Sequence, residues 1–235
     1  MRIAVLMTNT DETDFAQKHP KDGEKFTSLI KTVRPDWDMD IYSTKDGVFP
    51  EDITAFDGVL ITGSPASVHE DSVWVPRLLK QIRVAYDANV PMFGACFGHQ
   101  AIALALGGTV TRNPNGWAFG LLEMQVTKRA PWYDGPTTLL QYGAHVEQVT
   151  QLPDGAEAIF STEGCPVAGF VLADRVYATQ NHPEMTPEFI AALVEEYADK
   201  LDADVVERAQ HSLDRIADRD VFARSIVRFF EQEPA

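Results

Sequence analysis

Residues 94–100 have the sequence Gly-Ala-Cys-Phe-Gly-His-Gln, in which one glycine lies two residues before the cysteine and another two residues after it. The apolar residues at 90–93 predict a short buried strand, and residues 101–106 are good helix formers. Cys96 is therefore expected at a strand-to-helix turn, where the two glycines leave room for a tight backbone. The N-terminus of the following helix favours the thiolate over the thiol. The pattern predicts a nucleophile elbow, with a buried structural cysteine as the alternative.

A second polar motif lies far downstream, where residues 180–184 have the sequence Gln-Asn-His-Pro-Glu and follow an apolar strand at 176–178. Catalytic partners of an elbow lie on loops at the ends of strands in α/β proteins. A nucleophilic thiol needs a base, and the base needs an acceptor that fixes its tautomer. Cys96, His182 and Glu184 fit these three roles in that order.

The rest of the chain alternates predicted strands and helices, as parallel sheets require. Strands are expected at 3–7, 37–42 and 59–62, and one helix is expected at 23–32. A second helix is expected after a cap at Asp71 or Ser72. Between 109 and 179, short apolar runs broken by proline, asparagine and glycine predict hairpins and an antiparallel section.

The C-terminal part of the chain is predicted to be helical. Thr186 is expected to cap a helix with Pro187 in its first position. Apolar stripes at helical spacing continue to the adjacent Phe229 and Phe230. Core packing is the main interpretation of these stripes, but the last helix is also where a dimer contact or the docking of another protein is expected.

Composition favours one catalytic domain. The 235 residues are 45% hydrophobic and 23% charged, which predicts a single domain over 1–235, with a catalytic core at about 1–188 and a helical extension at about 187–232. A net charge of −15 without a basic stripe disfavours nucleic-acid binding. No stretch approaches the roughly 20 apolar residues of a membrane helix. The two cysteines, Cys96 and Cys165, are expected to be reduced and Cys165 inert, which indicates a cytoplasmic protein.

Together these motifs resemble the class I glutamine amidotransferases, whose triad is an elbow cysteine with His-x-Glu near the end of the domain. Residues 59–65, Val-Leu-Ile-Thr-Gly-Ser-Pro, are similar to the family's oxyanion strand. Residues 63–68 and 115–117 resemble a stand-alone branch related to the amidotransferase domain of GMP synthetase. The resemblance runs from Arg2 to about Glu188. It implies a three-layer flavodoxin-like α/β fold, an open and mostly parallel sheet with an antiparallel section and extra C-terminal helices.

The resemblance also implies roles for further residues. Backbone N–H donors for the oxyanion are expected at Gly63, Ser64 and Phe97. Substrate contacts are expected from Gln100 and from a loop that contains Ala144, His145 and Val146. Neither a metal ion nor a cofactor is expected.

The sequence leaves the substrate open. Ala118 stands where many relatives carry an acidic residue, which puts strict glutamine specificity in doubt. We find no phosphate-binding loop of Walker type in the sequence, and no second domain for an ammonia acceptor is expected. The first hypothesis is a glutaminase that delivers ammonia to a synthetase in trans. The second is a stand-alone γ-glutamyl peptidase acting on γ-glutamyl amides or glutathione-like conjugates, and the third is a non-catalytic binding or regulatory module.

Overall fold

The computed structural model describes residues 1–232, so the last three residues of the predicted domain lie outside it. The strands are β1 Arg2–Met7, β2 Asp38–Ser43, β3 Gly58–Ile61, β4 Met92–Ala95, β5 Thr109–Arg112, β6 Ala118–Val126, β7 Thr138–His145, β8 Glu147–Gln151, β9 Ala156–Thr162, β10 Cys165–Leu172 and β11 Val176–Thr179. The helices are α1 Asp14–Gln17, α2 Asp22–Lys31, α3 Trp74–Asp87, α4 Phe97–Ala105, α5 Pro187–Glu196, α6 Ala203–Ser212 and α7 Arg219–Glu231. None of these helices is long and apolar enough to cross a membrane within the described residues.

Within residues 1–232, nine strands form one sheet in the order β2-β1-β3-β4-β11-β10-β9-β6-β7, and β5 pairs with β8 in a separate two-stranded sheet. The pairs from β2 to β11 are parallel. The pairs from β11 to β7 are antiparallel. The sheet therefore confirms the predicted flavodoxin-like α/β fold, including its antiparallel section.

Helices cover both faces of the sheet because side chains alternate along each strand. On β1, Ile3 and Val5 lie in one buried cluster with Phe26 of α2 and several side chains of α7. Ala4 and Leu6 lie in the opposite cluster, with α3 and α4. A third cluster joins α5 and α6 to β6 and β7. The three layers place the carboxyl ends of the parallel strands at one edge, where the elbow lies.

The last helix is part of the core rather than a free surface. Phe229 is fully buried and Phe230 is 4% exposed. Phe229 packs against Trp132 with ring centroids 4.9 Å apart, and Phe230 packs against Trp37 at 6.2 Å. The prediction that these two phenylalanines mark a dimer or synthetase contact is therefore wrong in its location, because their rings fill the space between α7 and the sheet.

Candidate active site

Cys96 lies at the turn between β4 and α4 with φ +50° and ψ −106°, a conformation that side chains seldom adopt. Its amide donates a hydrogen bond to the carbonyl of Thr179, at 2.8 Å. A Cβ atom at Gly94 would lie 2.7 Å from the carbonyl of Gly98, and one at Gly98 would lie 2.3 Å from the carbonyl of Ile61. Both glycines are thus required by close backbone contacts, and the turn has the strand-to-helix form that the sequence predicts.

Gly63 lies directly beside the thiol, just after β3. A Cβ atom here would be 2.7 Å from Cε1 of His182 and 3.5 Å from Cβ of Cys96. The hydroxyl of Thr8 donates to the carbonyl of Gly63, at 2.9 Å. Because a trans peptide places its N–H opposite its carbonyl, the amide of Ser64 points away from Thr8. The end of β3 is therefore held against the elbow in a fixed orientation.

His182 and Glu184 form a buried pair on the loop after β11. Nδ1 of His182 lies 2.7 Å from Oε1 of Glu184, and the two residues are 5% and 1% exposed. The amide of His182 donates to the carbonyl of Tyr142 on β7, at 2.8 Å. The guanidinium of Arg219 donates to the carbonyls of Pro183 and Glu184, at 3.3 and 3.2 Å. These backbone contacts fix the loop from two sides.

The electrostatic surroundings favour the charged form of His182. Burial lowers the pKa of His182. The charges of Glu184 and Cys96 and hydrogen bonding to both raise it by more than burial lowers it, so the pKa lies well above its ordinary value. The side chain of Cys96 is close enough to raise the pKa of the ring, although Nε2 of His182 has no well-aligned hydrogen-bond partner within residues 1–232. Hydrogen bonds between catalytic groups are often loose before substrate binds. The arrangement can hold a charged imidazolium beside the sulfur of Cys96.

Of the predicted substrate contacts, Ala144 reaches the cavity beside the elbow. Gln100 is buried, and its amide donates to the carbonyl of Glu147 at 2.8 Å and to the side chain of Gln180 at 3.2 Å. Residues 143–145 belong to β7, so the prediction that they form a loop is wrong. Pairing with β6 along the whole length of β7 extends the strand as far as the turn before β8.

His145 and Val146 are held by local contacts. Nδ1 of His145 lies 3.1 Å from the carbonyl of Glu147, and burial lowers the pKa of His145 to about 4. The carbonyl of Val146 accepts a hydrogen bond from the amide of Asn113, at 2.7 Å. Both contacts join β7 to the neighbouring two-stranded sheet, so a structural role fits His145 better than a direct contact with substrate.

A cavity of about 370 Å³ opens beside Gly63, Ser64 and His182. Its far walls are formed by apolar and aromatic side chains from α1, β6 and α5 and from the segments next to them. They include Phe15, Trp117, Phe119, Met185, Phe189, Leu193 and Tyr197. Sequence reasoning missed this lining, and it also missed His19, which lies in the wall and packs on Phe15 with ring centroids 4.7 Å apart.

Two other reactive residue types near the elbow are buried in the core. His99 is fully buried against Phe170, with ring centroids 5.0 Å apart, and burial lowers its pKa to about 3. Cys165 begins β10, is fully buried, and has a pKa raised by burial to about 12. The protonated thiol supports the predicted inert character of Cys165, and the neutral imidazole gives His99 a packing role beneath the elbow.

The fold and the site together define an α/β protein with a thiol on a strand-to-helix elbow, opposite a buried histidine–carboxylate pair. The sequence matches the family model described as glutamine amidotransferase class-I over residues 26–194. The chain belongs to the class I glutamine amidotransferase family.

Its relatives differ in how much of each chain the similarity covers. Gamma-glutamyl peptidase 3 of Arabidopsis thaliana is 28% identical over 83% of this chain and 81% of its own. The GMP synthase [glutamine-hydrolyzing] of Clostridium novyi is 33% identical over 54% of this chain, a match that covers 24% of that longer protein. The crystal structure of a glutamine amidotransferase from Thermotoga maritima superposes with a TM-score of 0.78 at 20% identity, covering 98% of both chains, and shows the same fold.

Proposed function

We propose that the protein hydrolyses the γ-amide bond of glutamine or of another γ-glutamyl compound, with Cys96 as nucleophile, His182 as base and Glu184 as the acceptor that orients His182. The observation that carries this proposal is the convergence at Gly63, whose missing side chain leaves room for the ring of His182 close to Cys96. A thiol, an imidazole and a buried carboxylate brought together from separate elements are the requirements of acyl transfer through a thioester.

In the proposed mechanism the proton of the Cys96 thiol passes to His182, the sulfur attacks the γ-carbonyl carbon, and the carbonyl oxygen becomes an oxyanion. The amides of Phe97 and of the Gly63-Ser64 segment are the proposed donors to that oxyanion. His182 gives a proton to the departing nitrogen, which leaves as ammonia or an amine, and the γ-glutamyl group stays on sulfur. Water then loses a proton to His182 and attacks the thioester, which releases glutamate and returns the thiol to its starting state.

Two forms of this reaction differ in the leaving group. The relatives named GMP synthase hydrolyse glutamine, and by analogy this chain would deliver ammonia to a synthetase partner in trans. The match to the Arabidopsis gamma-glutamyl peptidase covers most of both chains, whereas the GMP synthase match leaves most of that protein without a counterpart. This coverage, together with the size of the cavity beside His182, favours the peptidase form.

The test is turnover of glutamine and of a panel of γ-glutamyl amides by the purified protein, with release of glutamate as the readout. Mass spectrometry of the quenched reaction should show a γ-glutamyl adduct on the peptide that contains Cys96. Cys96→Ala should abolish both signals. Cys165→Ala removes the other thiol, which is buried at the start of β10, and should keep both signals.

The outcomes separate the three hypotheses. Ammonia release from glutamine alone supports the glutaminase form, and preference for γ-glutamyl amides with larger leaving groups supports the peptidase form. If a folded protein neither turns over any member of the panel nor forms an adduct, the catalytic proposal fails and the binding module stands.

A further inference from the structure

The cavity begins at the reacting centre and is larger than glutamine hydrolysis requires. Gly63, Ser64 and His182 line it, so the cavity adjoins two of the groups that we propose to act on the γ-carbonyl, the oxyanion donors and the base. The leaving group of glutamine is ammonia, which has a single heavy atom. A volume of about 370 Å³ lies within the range of roughly 300–1,000 Å³ that holds drug-sized ligands.

Aromatic rings in the wall form two clusters, and α5 or its C-cap contributes one ring to each. In the first cluster, Phe189 of α5 packs on Phe15 and His19, with ring centroids 6.0 and 5.2 Å apart. In the second, Tyr197 packs on Trp117 and Phe119, with centroids 6.2 and 5.7 Å apart. Rings arranged in this way offer faces and edges to another aromatic ring placed against them.

Two of the three lysines in the wall are paired with carboxylates, and Asp11, also in the wall, accepts a hydrogen bond from the amide of Thr13 at 2.9 Å. The ammonium of Lys25 lies 2.9 Å from Asp22 and 3.3 Å from the ring centre of Phe189. Lys45 lies 2.5 Å from Glu12 and 2.9 Å from Asp46.

The third lysine of the wall, Lys21, is exposed at the rim. The interior therefore presents rings and paired charges, an environment that suits an uncharged apolar group better than a carboxylate.

We infer that the cavity binds the aromatic part of the leaving amine, so that the preferred substrates are γ-glutamyl amides of arylalkyl amines. The inference rests on the proposed function and names its substrate class. The reaction is the hydrolysis already described: one water is consumed, the amide C–N bond breaks, and glutamate and the arylalkyl amine are released. Burial of the ring supplies binding energy beside the scissile bond, where it raises the rate for this class over smaller amides.

The first test compares four substrates on the wild-type protein: γ-glutamylphenethylamide, γ-glutamylethylamide, γ-glutamylphenylalanine and glutamine. We expect kcat/KM for the phenethylamide to exceed that for the ethylamide and for glutamine by about tenfold or more. A higher kcat/KM for γ-glutamylphenylalanine than for the phenethylamide would contradict the preference for a leaving amine without a carboxylate. Equal values across the panel would overturn the inference and leave γ-glutamyl hydrolysis standing.

The second test fills the cavity from α1, at a position remote from the elbow. Ala16 is half-buried in the wall, and Ala16→Trp would occupy the space assigned to the aryl group. We expect kcat/KM for the phenethylamide to fall about tenfold more than that for the ethylamide. Ala88→Trp, at an exposed position after α3, is the matched control and should change neither value.

An equal fall for both amides in a variant that melts like the wild type would contradict the assignment of the cavity to the leaving group. Absence of turnover and of a γ-glutamyl adduct with all four substrates would instead remove the proposed function itself.

Discussion

Glu184 is buried, and one of its oxygens depends on His182. Oε1 accepts the hydrogen bond from Nδ1 of His182, while Oε2 has no hydrogen-bond partner within residues 1–232. A buried carboxylate of this kind is stabilised mainly by a neighbouring cation. The raised pKa of His182 is the reciprocal effect, since the carboxylate and Cys96 together outweigh the effect of burial.

Replacing the carboxylate with an amide tests this coupling. Glu184→Gln removes the charge that raises the pKa of His182, and we expect kcat to fall by about 10²–10⁴-fold, as when the acid of a triad is neutralised. The pH at which the imidazole titrates should move down. Two-dimensional NMR of the histidine ring nitrogens across a pH series measures the titration, and initial rates measure kcat.

The raised pKa of His182 also predicts that the stability difference between wild type and Glu184→Gln depends on pH. The folded-state pKa of His182 lies above its unfolded value of about 6.5, so the stabilisation is fully present below that value and is lost as pH rises through the folded-state pKa. The difference in unfolding free energy between wild type and Glu184→Gln should therefore be larger near pH 6 than at pH 9. Glu163→Gln, at an exposed position, is the control, and a difference independent of pH would contradict the coupling.

Among the elements, the turn from β4 to α4 holds a residue other than glycine at positive φ. Cys96 has φ +50°, and a side chain in such a region costs on the order of 1–3 kcal/mol. The close backbone contacts at Gly94 and Gly98 hold the chain in this conformation between strand and helix. The fold thus maintains strain at the residue that we propose as nucleophile.

This strain predicts an unusual order of stability. Cys96→Gly relieves the strain and Cys96→Ala does not. The glycine variant should therefore be more stable than the alanine variant by about 1 kcal/mol, whereas glycine in place of alanine ordinarily destabilises a protein. Urea denaturation measures both. Ala95→Gly, one residue earlier in β4, is the control and should be destabilising in the ordinary way. A glycine variant less stable than the alanine variant would show that the elbow is unstrained.

Local patterns predicted most of these elements. The strand and helix periods placed β1, β3 and α2 within a residue or two, and the hydroxyl of Thr186 caps α5 by accepting the amide of Phe189 at 3.2 Å. The expected cap at Asp71 or Ser72 is wrong. Val73 occupies the N-cap of α3 without a side-chain hydrogen bond. Ser72 belongs to the turn before the helix, where its amide donates to the carbonyl of Glu70.

The aromatic cavity lay beyond prediction from local patterns. Phe15, Phe119 and Phe189 lie in three elements that are far apart in the chain, and each belongs to an ordinary apolar stripe in its own element. Their convergence depends on how α1, β6 and α5 pack in three dimensions. Motifs located the elbow and the His-Pro-Glu segment because the chemistry there demands particular neighbours in sequence.

At the level of the whole molecule, the helices after the candidate site complete two of the three apolar clusters. Phe222 and Ile226 of α7 are fully buried against the sheet. On the other side, α6 packs so closely on β6 that a Cβ atom at Gly120 would lie 2.8 Å from Cα of Ala209. The hydroxyl of Ser212 accepts the amide of Leu121, at 2.8 Å.

These contacts predict that a chain ending before α6 does not fold stably. Each large side chain of α7 that is fully buried contributes roughly 1.5–3 kcal/mol, so losing several is comparable with the 5–15 kcal/mol of a whole domain. Deletion of residues 203–235 should abolish cooperative thermal unfolding, measured by circular dichroism. As point controls, Phe229→Ala should cost about 3–5 kcal/mol, and Ile216→Ala, at a position 69% exposed, should cost almost nothing. A cooperative transition in the truncated chain would contradict this account.

The hairpin of β6 and β7 both lines the cavity and positions the proposed base. Phe119 and Ala144 on this hairpin line the cavity, and the carbonyl of Tyr142 on the same strand as Ala144 holds the amide of His182. Selection on which amines fit the cavity therefore also acts on the position of the proposed base. Substrate range and catalytic power in this lineage are then expected to evolve together through substitutions in this hairpin, whereas changes in α1 can alter the cavity and leave the base undisturbed.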